Sequence, residues 1–292
     1  MNVRMIDAVW RAANPLPDLG GGMDKDARGK ALVVGGSAFV PGALLLTGEA
    51  MLRAGAGKVK LATIDRAAIG IGLAFPEAAV IALPEDEEGE VDAAALKSLE
   101  RHIEQCDALV LGPGMLERPQ TPALIGALLD RAGSASPVLL DAGALTAMRG
   151  GEATLRRQDQ PVVMTPHHGE LASLTGVDKE AVEHDPAKAA HQTAAAFGAI
   201  VALKSAETII SDGQSTMLRY VSGAPGLGTA GSGDVLAGII GGLLARGVDP
   251  LIATAWGVWL HGEAGKAAGA AIGPVGFLAR DLLSHIPRLL TD

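Results

Sequence analysis

What most constrains this chain is its alternation of short Val, Leu and Ile runs with longer segments of helical periodicity. Ala31-Leu32-Val33-Val34 ends in Gly35-Gly36-Ser37, as a buried strand entering a turn does. Pro41 then opens ALLLTGEAMLRAG, an apolar helical pattern halted by Gly55 and Gly57, and Lys58–Ile64 returns to strand spacing. The same reading predicts strands at Ala79–Leu83, Asp107–Leu111, Val138–Asp141, Val162–Met164 and Ile200–Lys204. Helices are expected over Val91–Glu104 and Pro122–Arg131, from the Thr165–Glu170 turn to Leu174, and over Ala187–Phe197, Leu251–Ala268 and Gly276–Leu290. Thr208–Ser211 and Thr216–Val221 flank Asp212-Gly213 and read as a small β-hairpin. Near-continuous apolar strands interleaved with helices imply an α/β fold, with a mostly parallel central sheet covered on both faces. No linker-like shift divides residues 29–292, which read as one domain. Residues 1–28 read as an N-terminal extension with one short helix, ending at Gly20-Gly21-Gly22 and packing on a partner subunit.

Composition narrows the classes of function. With 48% hydrophobic but only 3% aromatic residues, the core has to be built from Ala, Val, Leu and Ile. A formal net charge of -9 argues against a nucleic-acid partner held by phosphate contacts. The single cysteine, Cys106, excludes an internal disulfide and a Cys-based zinc site, and fits a reducing compartment. The first residues lack a signal-peptide core, and runs such as Val235–Ala245 are too short to span a bilayer. The expected setting is therefore cytoplasmic, without a membrane. The acidic run Glu85–Glu90 reads as a solvated loop.

In open parallel sheets, ligands gather at the carboxyl ends of the strands. Here those ends carry Gly35-Gly36-Ser37, Gly112-Pro113-Gly114, Asp141, Thr165-Pro166-His167 and Lys204-Ser205. Late in the chain, GTAGSGDVLAGIIGGLLARG (Gly228–Gly247) runs from a glycine-rich turn into an apolar helix, with Asp234 at the junction. Such a turn lets main-chain N–H groups approach an anion, and the free N–H groups of the helix start favour one. Asp234 there is a helix cap or a base, and Asp141 a helix cap or a magnesium ligand. Lys204, at the end of an apolar strand, must reach solvent or an anion. Adjacent His167 and His168 point apart in extended chain, which disfavours a metal pair. Glycines, a lysine, a histidine and two carboxylates together suit a phosphorylated ligand. There is no P-loop, no Rossmann G-x-G-x-x-G spacing, no G-x-S-x-G elbow and no H-E-x-x-H helix.

A glycine-rich turn ending in Gly-x-Gly-Asp at a late helix start resembles the anion hole of ribokinase-like kinases. Within that superfamily the chain resembles the ADP-dependent NAD(P)H-hydrate dehydratases, in their stand-alone form. Six blocks carry the resemblance in the family's order: KALVVGGSAFVPGALLLTGEAMLRAGAGKVKLAT, LVLGPGM, LLDAGAL, VMTPHHGELASLTG, VALKSAETII and GLGTAGSGDVLAGIIGGLLARG. The resemblance implies metabolite repair, in which hydrated NADHX or NADPHX is returned to NADH or NADPH while ADP becomes AMP and phosphate. It implies Asp234 as the general base that takes the ring hydroxyl proton. Lys204, Ser205, Ala206, Glu207 and Thr208, with Gly231, Ser232 and Gly233, are then expected at the adenine nucleotide. Ala43, Gly112, Gly114, His167 and Asp234 are expected at the hydrated dinucleotide. Mg2+ is expected with the phosphates, with no residue that reads as a dedicated cage. A homotetramer and a separate NAD(P)HX epimerase as functional partner also follow from the resemblance, and the glycine-spaced C-terminal helices read as an oligomer surface.

Five residues at four places depart from the family's pattern. Gly143 replaces the second aspartate of Asp-Ala-Asp-Ala-Leu, His168 replaces a proline, Met115-Leu116 replace Leu-Gly, and Ala224 replaces an asparagine. Two other readings share the anion hole: a small-molecule kinase for a vitamin precursor, and a nucleotide-binding protein with weakened catalysis.

Overall fold

The computed structural model describes residues 3–18, 24–132, 136–159 and 161–291; the expected Gly20-Gly21-Gly22 end lies outside them. Among the described residues, ten strands form one sheet. In chain order they are β1 (Arg4–Met5), β2 (Lys30–Val34), β3 (Lys58–Ile64), β4 (Ala79–Leu83), β5 (Ala108–Leu111), β6 (Val138–Leu140), β7 (Val163–Met164), β8 (Ile200–Leu203), β9 (Glu207–Ser211) and β10 (Met217–Val221). Their spatial order is β1-β10-β9-β8-β7-β6-β5-β2-β3-β4, and only β9 runs antiparallel to its neighbours. The expected hairpin is β9–β10, and it extends the central sheet.

Strand residues alternate between two cores, one on each face. Ala31 and Val33 join α2 (Ala43–Arg53), α11 (Ser232–Ala245) and α12 (Pro250–Ala271) on one side. Leu32 and Val34 join α4 (Ala95–Glu104), α5 (Thr121–Ala132) and α10 (Pro186–Phe197) on the other. The α11 glycines make one of these contacts possible. A Cβ on Gly238 would stand 2.3 Å from the Thr47 carbonyl oxygen, and one on Gly242 2.6 Å from that of Met51. In α12, Gly257 abuts Ile240 and Gly262 abuts Tyr220. These glycines are spent on packing within the chain, which removes them as the expected oligomer surface.

Several expectations need correction. The extension packs on its own chain: β1 pairs with β10, Ile6 is buried, and the Trp256 indole donates to the Asn14 carbonyl. Its helix is α1 (Ala8–Ala13), with the Arg11 guanidinium 3.8 Å from the Trp259 ring centroid. The acidic run is not wholly solvated. Glu90 is 3% exposed and accepts a hydrogen bond from the Leu116 N–H. Val91 bridges back to Glu85, so α4 begins only at Ala95. The helices α3 (Asp65–Ala74), α6 (Ala142–Thr146), α7 (Glu152–Arg156) and α9 (Lys179–His184) were not anticipated, whereas α8 (His168–Thr175) was. The expected final helix is two short ones, α13 (Ala279–Leu283) and α14 (Ile286–Leu289), because Pro287 can stand only in the first turn of a helix.

Cys106 is 8% exposed, and burial pushes its thiol up to about 11. A thiol reagent at neutral pH is therefore expected to leave the native protein unlabelled and to titrate one thiol after urea is added. Fast labelling of the native state would contradict this packing.

Candidate active site

The carboxyl ends of β6, β7 and β8 and the start of α11 converge on a pocket of about 780 Å³. One end is charged and lined by Asp141, His167, Glu170, Lys204, Gly233 and Asp234. The other is mostly apolar, with Ala206, Tyr220, Leu227, Val258 and Gly262 among its walls.

Asp141 follows β6 and sits where a helix cap would, yet it makes no capping bond to α6. Its carboxylate instead meets the Lys204 ammonium at 2.9 Å and accepts from the Thr165 hydroxyl at 2.7 Å. Thus it is an ion-pair partner, which the choice between cap and magnesium ligand did not contain. The turn behind it is strained: Ala142 has φ +47°, the one positive φ outside glycine among the described residues.

His167 ends the β7 turn and caps α8. Its Nδ1 accepts from the Gly169 and Glu170 N–H groups, while the Glu170 carboxylate accepts from the His167 N–H at 2.7 Å. An imidazole whose Nδ1 accepts in this way carries its hydrogen on Nε2, which is then a donor. Capping also aims Glu170 inward, 3.5 Å from the Lys204 ammonium. His168 turns away toward Glu183, so the two histidines do point apart.

Lys204 is thus held between two carboxylates. Burial favours the neutral amine, but Asp141 and Glu170 outweigh it and keep the ammonium above the usual lysine range. Beside it begins α11. Gly231 takes φ +86°, and a Cβ there would lie 2.5 Å from Leu46 of α2. A Cβ on Gly233 would stand 3.4 Å from the Lys204 nitrogen. The N–H groups of Gly233 and Asp234 find no acceptor among the described residues, as first-turn groups of a helix do when no side chain caps them. Asp234 does not cap: its carboxylate has no hydrogen-bond or ion-pair partner among the described residues. Burial and the Asp141 charge, opposed by Lys204, push it up to about 7.

The pocket brings together Lys204, Ser205, Ala206, Thr208, Gly231, Ser232, Gly233, Asp234 and His167. Glu207 is not among its walls; its carboxylate pairs with Arg219 across the β9–β10 hairpin. Ala43, Gly112 and Gly114 lie at an adjoining corner rather than in the pocket wall. Gly114, at φ +73°, packs on the Val40 carbonyl and the Ala43 methyl, and Gly112 packs on the Asp141 carbonyl.

A protein-family profile described as NAD(P)H-hydrate dehydratase matches residues 31–288. The chain belongs to the NAD(P)H-hydrate dehydratase family. It is 46% identical to an ADP-dependent (S)-NAD(P)H-hydrate dehydratase of Xanthomonas campestris, over 99% of this chain and 96% of that one. It is 37% identical to a bifunctional NAD(P)H-hydrate repair enzyme of Moorella thermoacetica, of which it spans 54%. The fold superposes, with a TM-score of 0.84 and 28% identity over 100% of this chain and 99% of the other, on an ADP/ATP-dependent NAD(P)H-hydrate dehydratase of Bacillus subtilis crystallised with ATP/Mg2+.

Two of the chain's departures from the family pattern prove to be neighbours. A Cβ on Gly143 would stand 2.6 Å from the Met115 carbonyl oxygen and 2.9 Å from the Leu116 carbonyl carbon. The Met115-Leu116 loop has closed over the space a second carboxylate needs. Among the pocket residues that escaped the sequence reading are Glu170, Tyr220 and His261. Only Glu170 left a trace, as an acid three residues beyond a capping position.

Proposed function

We propose that this protein restores NADH and NADPH from their hydrates, using ADP and releasing AMP and phosphate. The observation that carries the reading is Asp234: an unpartnered carboxylate beside the free N–H groups of α11, in the same pocket as Lys204.

The ring hydroxyl of the hydrate is a poor leaving group until it is phosphorylated. Asp234 accepts its proton as the oxygen attacks the terminal phosphorus of ADP. The free N–H groups of Gly233 and Asp234, rather than those of Gly231 to Gly233 as a run, face the phosphoryl oxygens, where charge builds in the transition state, since the Ser232 N–H donates to the Thr229 carbonyl; Lys204 adds a fixed positive charge. AMP departs, the ring nitrogen lone pair expels phosphate to leave a ring iminium, and loss of a proton from the adjacent ring carbon to water forms the ring double bond. Ser205, Ala206 and Thr208 line the nucleotide's end of the pocket. The His167 Nε2–H and the Ala43, Gly112 and Gly114 corner face the dinucleotide.

The charged end sets three carboxylates, Asp141, Glu170 and Asp234, against one lysine, which suits a cation carried in with polyphosphate. These three are not close enough together to hold a metal ion by themselves, and no other such group of three occurs among the described residues. Mg2+ would therefore be held mainly by phosphate oxygens and water, with Glu170 and Asp141 facing it, and would neutralise phosphate charge. By the same resemblance we assign the protein to the cytoplasm, as a homotetramer working beside an NAD(P)HX epimerase. No helix among the described residues is long and apolar enough to cross a membrane.

Purified protein incubated with NADHX and ADP is expected to regenerate NADH absorbance with one AMP formed per turnover. Phosphorylation of an alcohol, with no NADH returned from either ADP or ATP, would instead establish a kinase.

A further inference from the structure

The wall behind the glycine turn carries one titratable side chain that the mechanism above leaves unused. His261, within the long apolar helix α12, places Nε2 2.9 Å from the Ser232 hydroxyl oxygen. Ser232 is the first residue of α11, 5% exposed, and lies between Gly231 and Gly233. The other charged side chains on α12, Glu263 and Lys266, face each other and the Tyr220 hydroxyl. His261 and Lys204 line the same pocket.

Burial, opposed by a hydrogen bond to the Ser232 backbone and reinforced by the Lys204 charge, holds the His261 imidazole down to about 4, so the ring is neutral at neutral pH. A neutral imidazole has one N–H and one lone pair, and a serine hydroxyl has one hydrogen. Only two pairings exist. If Nε2 accepts the serine hydrogen, the Ser232 lone pairs are left facing the anion site. If Nε2–H donates to Ser232 Oγ, the serine hydrogen is free to point at an anion. The Gly233 and Asp234 N–H groups and the Lys204 ammonium stand beside that point as donors, while the Asp141, Glu170 and Asp234 carboxylates line the same end of the pocket. The second pairing is the one an anion in that place favours.

We propose that His261 is a positioning residue of the phosphoryl site, donating from Nε2 to Ser232 Oγ so that the Ser232 hydroxyl hydrogen is presented to the transferring phosphoryl group. The proposal rests on the phosphoryl-transfer reading above, and two experiments separate its failure from the failure of that reading.

The first is independent of activity. Nitrogen-edited NMR of the imidazole in the whole protein reads the tautomer directly, and the expected result is a protonated Nε2 with a bare Nδ1. A proton on Nδ1 overturns the proposal. The second is a double-mutant cycle on NADHX turnover with Ser232→Ala, His261→Phe and the double variant. Each single change is expected to lower kcat about tenfold, the scale of one hydrogen bond to a charged group, with the KM for ADP and for NADHX nearly unchanged. The double variant is expected to be no slower than either single. His261→Gln, whose amide can donate in place of Nε2, is expected to recover most of the rate, and it keeps the cycle readable if the phenylalanine does not fit. Losses that multiply in the double variant, or a His261→Phe protein that melts earlier but turns over normally, overturn the proposal. A wild-type protein that returns no NADH overturns the functional reading instead, and the tautomer measurement then still decides the hydrogen-bond assignment.

Discussion

Replacing Asp234 with asparagine is expected to abolish turnover and, above neutral pH, to make the protein harder to unfold. Loss of a general base costs about 10²–10⁴ in kcat, while ADP binding should persist, because the first-turn N–H groups and Lys204 remain. The stability effect follows from the raised carboxyl. Its ordinary value is 3.8 and its folded value about 7. Between these limits the folded state binds the proton that the unfolded chain has lost. Stability therefore falls as pH rises through this window, and the deficit is complete above about 7. Asparagine removes it, a gain on the order of a few kcal/mol at about pH 8 that closes near pH 4. Paired thermal melts at the two pH values check the sign. The wild-type rate should also climb through about pH 7 as the base ionises, and a flat profile there would count against Asp234 as the base.

The second large effect is expected at Lys204. Methionine there leaves Asp141 and Glu170 without their shared cation, in a site where Asp141 is only 3% exposed. Removing one partner of a buried pair costs about 3–5 kcal/mol. Lys204 also holds the Asp234 carboxyl down, so the residual activity of Lys204→Met should show its pH–rate curve displaced to higher pH. Denaturant melts and a pH profile read the two consequences separately. Adding Asp141→Asn should recover part of the stability, since it removes one stranded charge, and should not restore nucleotide affinity. An unchanged KM for ADP in Lys204→Met would sink the assignment of this lysine to the phosphates.

The sheet was legible because its strands are short, apolar and bounded by glycine, so a period of two has few competitors. The hidden elements broke that pattern for identifiable reasons. In α3, Gly70 and Gly72 read as breakers, while Ile69 and Leu73, at 77% and 81% exposure, sit on the wrong face for an amphipathic helix. The strand β1 is two exposed residues long and exists only because β10 offers an unpaired edge. In the site, the glycine turn and Lys204 announced themselves through residue type. The partner of Asp141 did not, since Lys204 is 63 residues away. Nor did Glu90, whose burial depends on the Leu116 N–H arriving from another loop. His261 is one of a few polar residues in a mostly apolar helix, and only the fold shows that it meets a serine rather than solvent.

The pairing of β1 with β10 also has a temporal side. Arg4 leaves the ribosome well before its partner Leu218, which is made more than two hundred residues later. At roughly 5–20 residues per second, translation keeps the leading strand waiting for some ten to forty seconds. The edge that flanks Tyr220 therefore closes only after most of the sheet has been synthesised, and contacts of such long sequence separation form slowly. Until then the nascent chain exposes Ile6, which ends up buried, and β10 has no neighbour on one side. For this protein, the Tyr220 end of the pocket is a late event in the life of the chain.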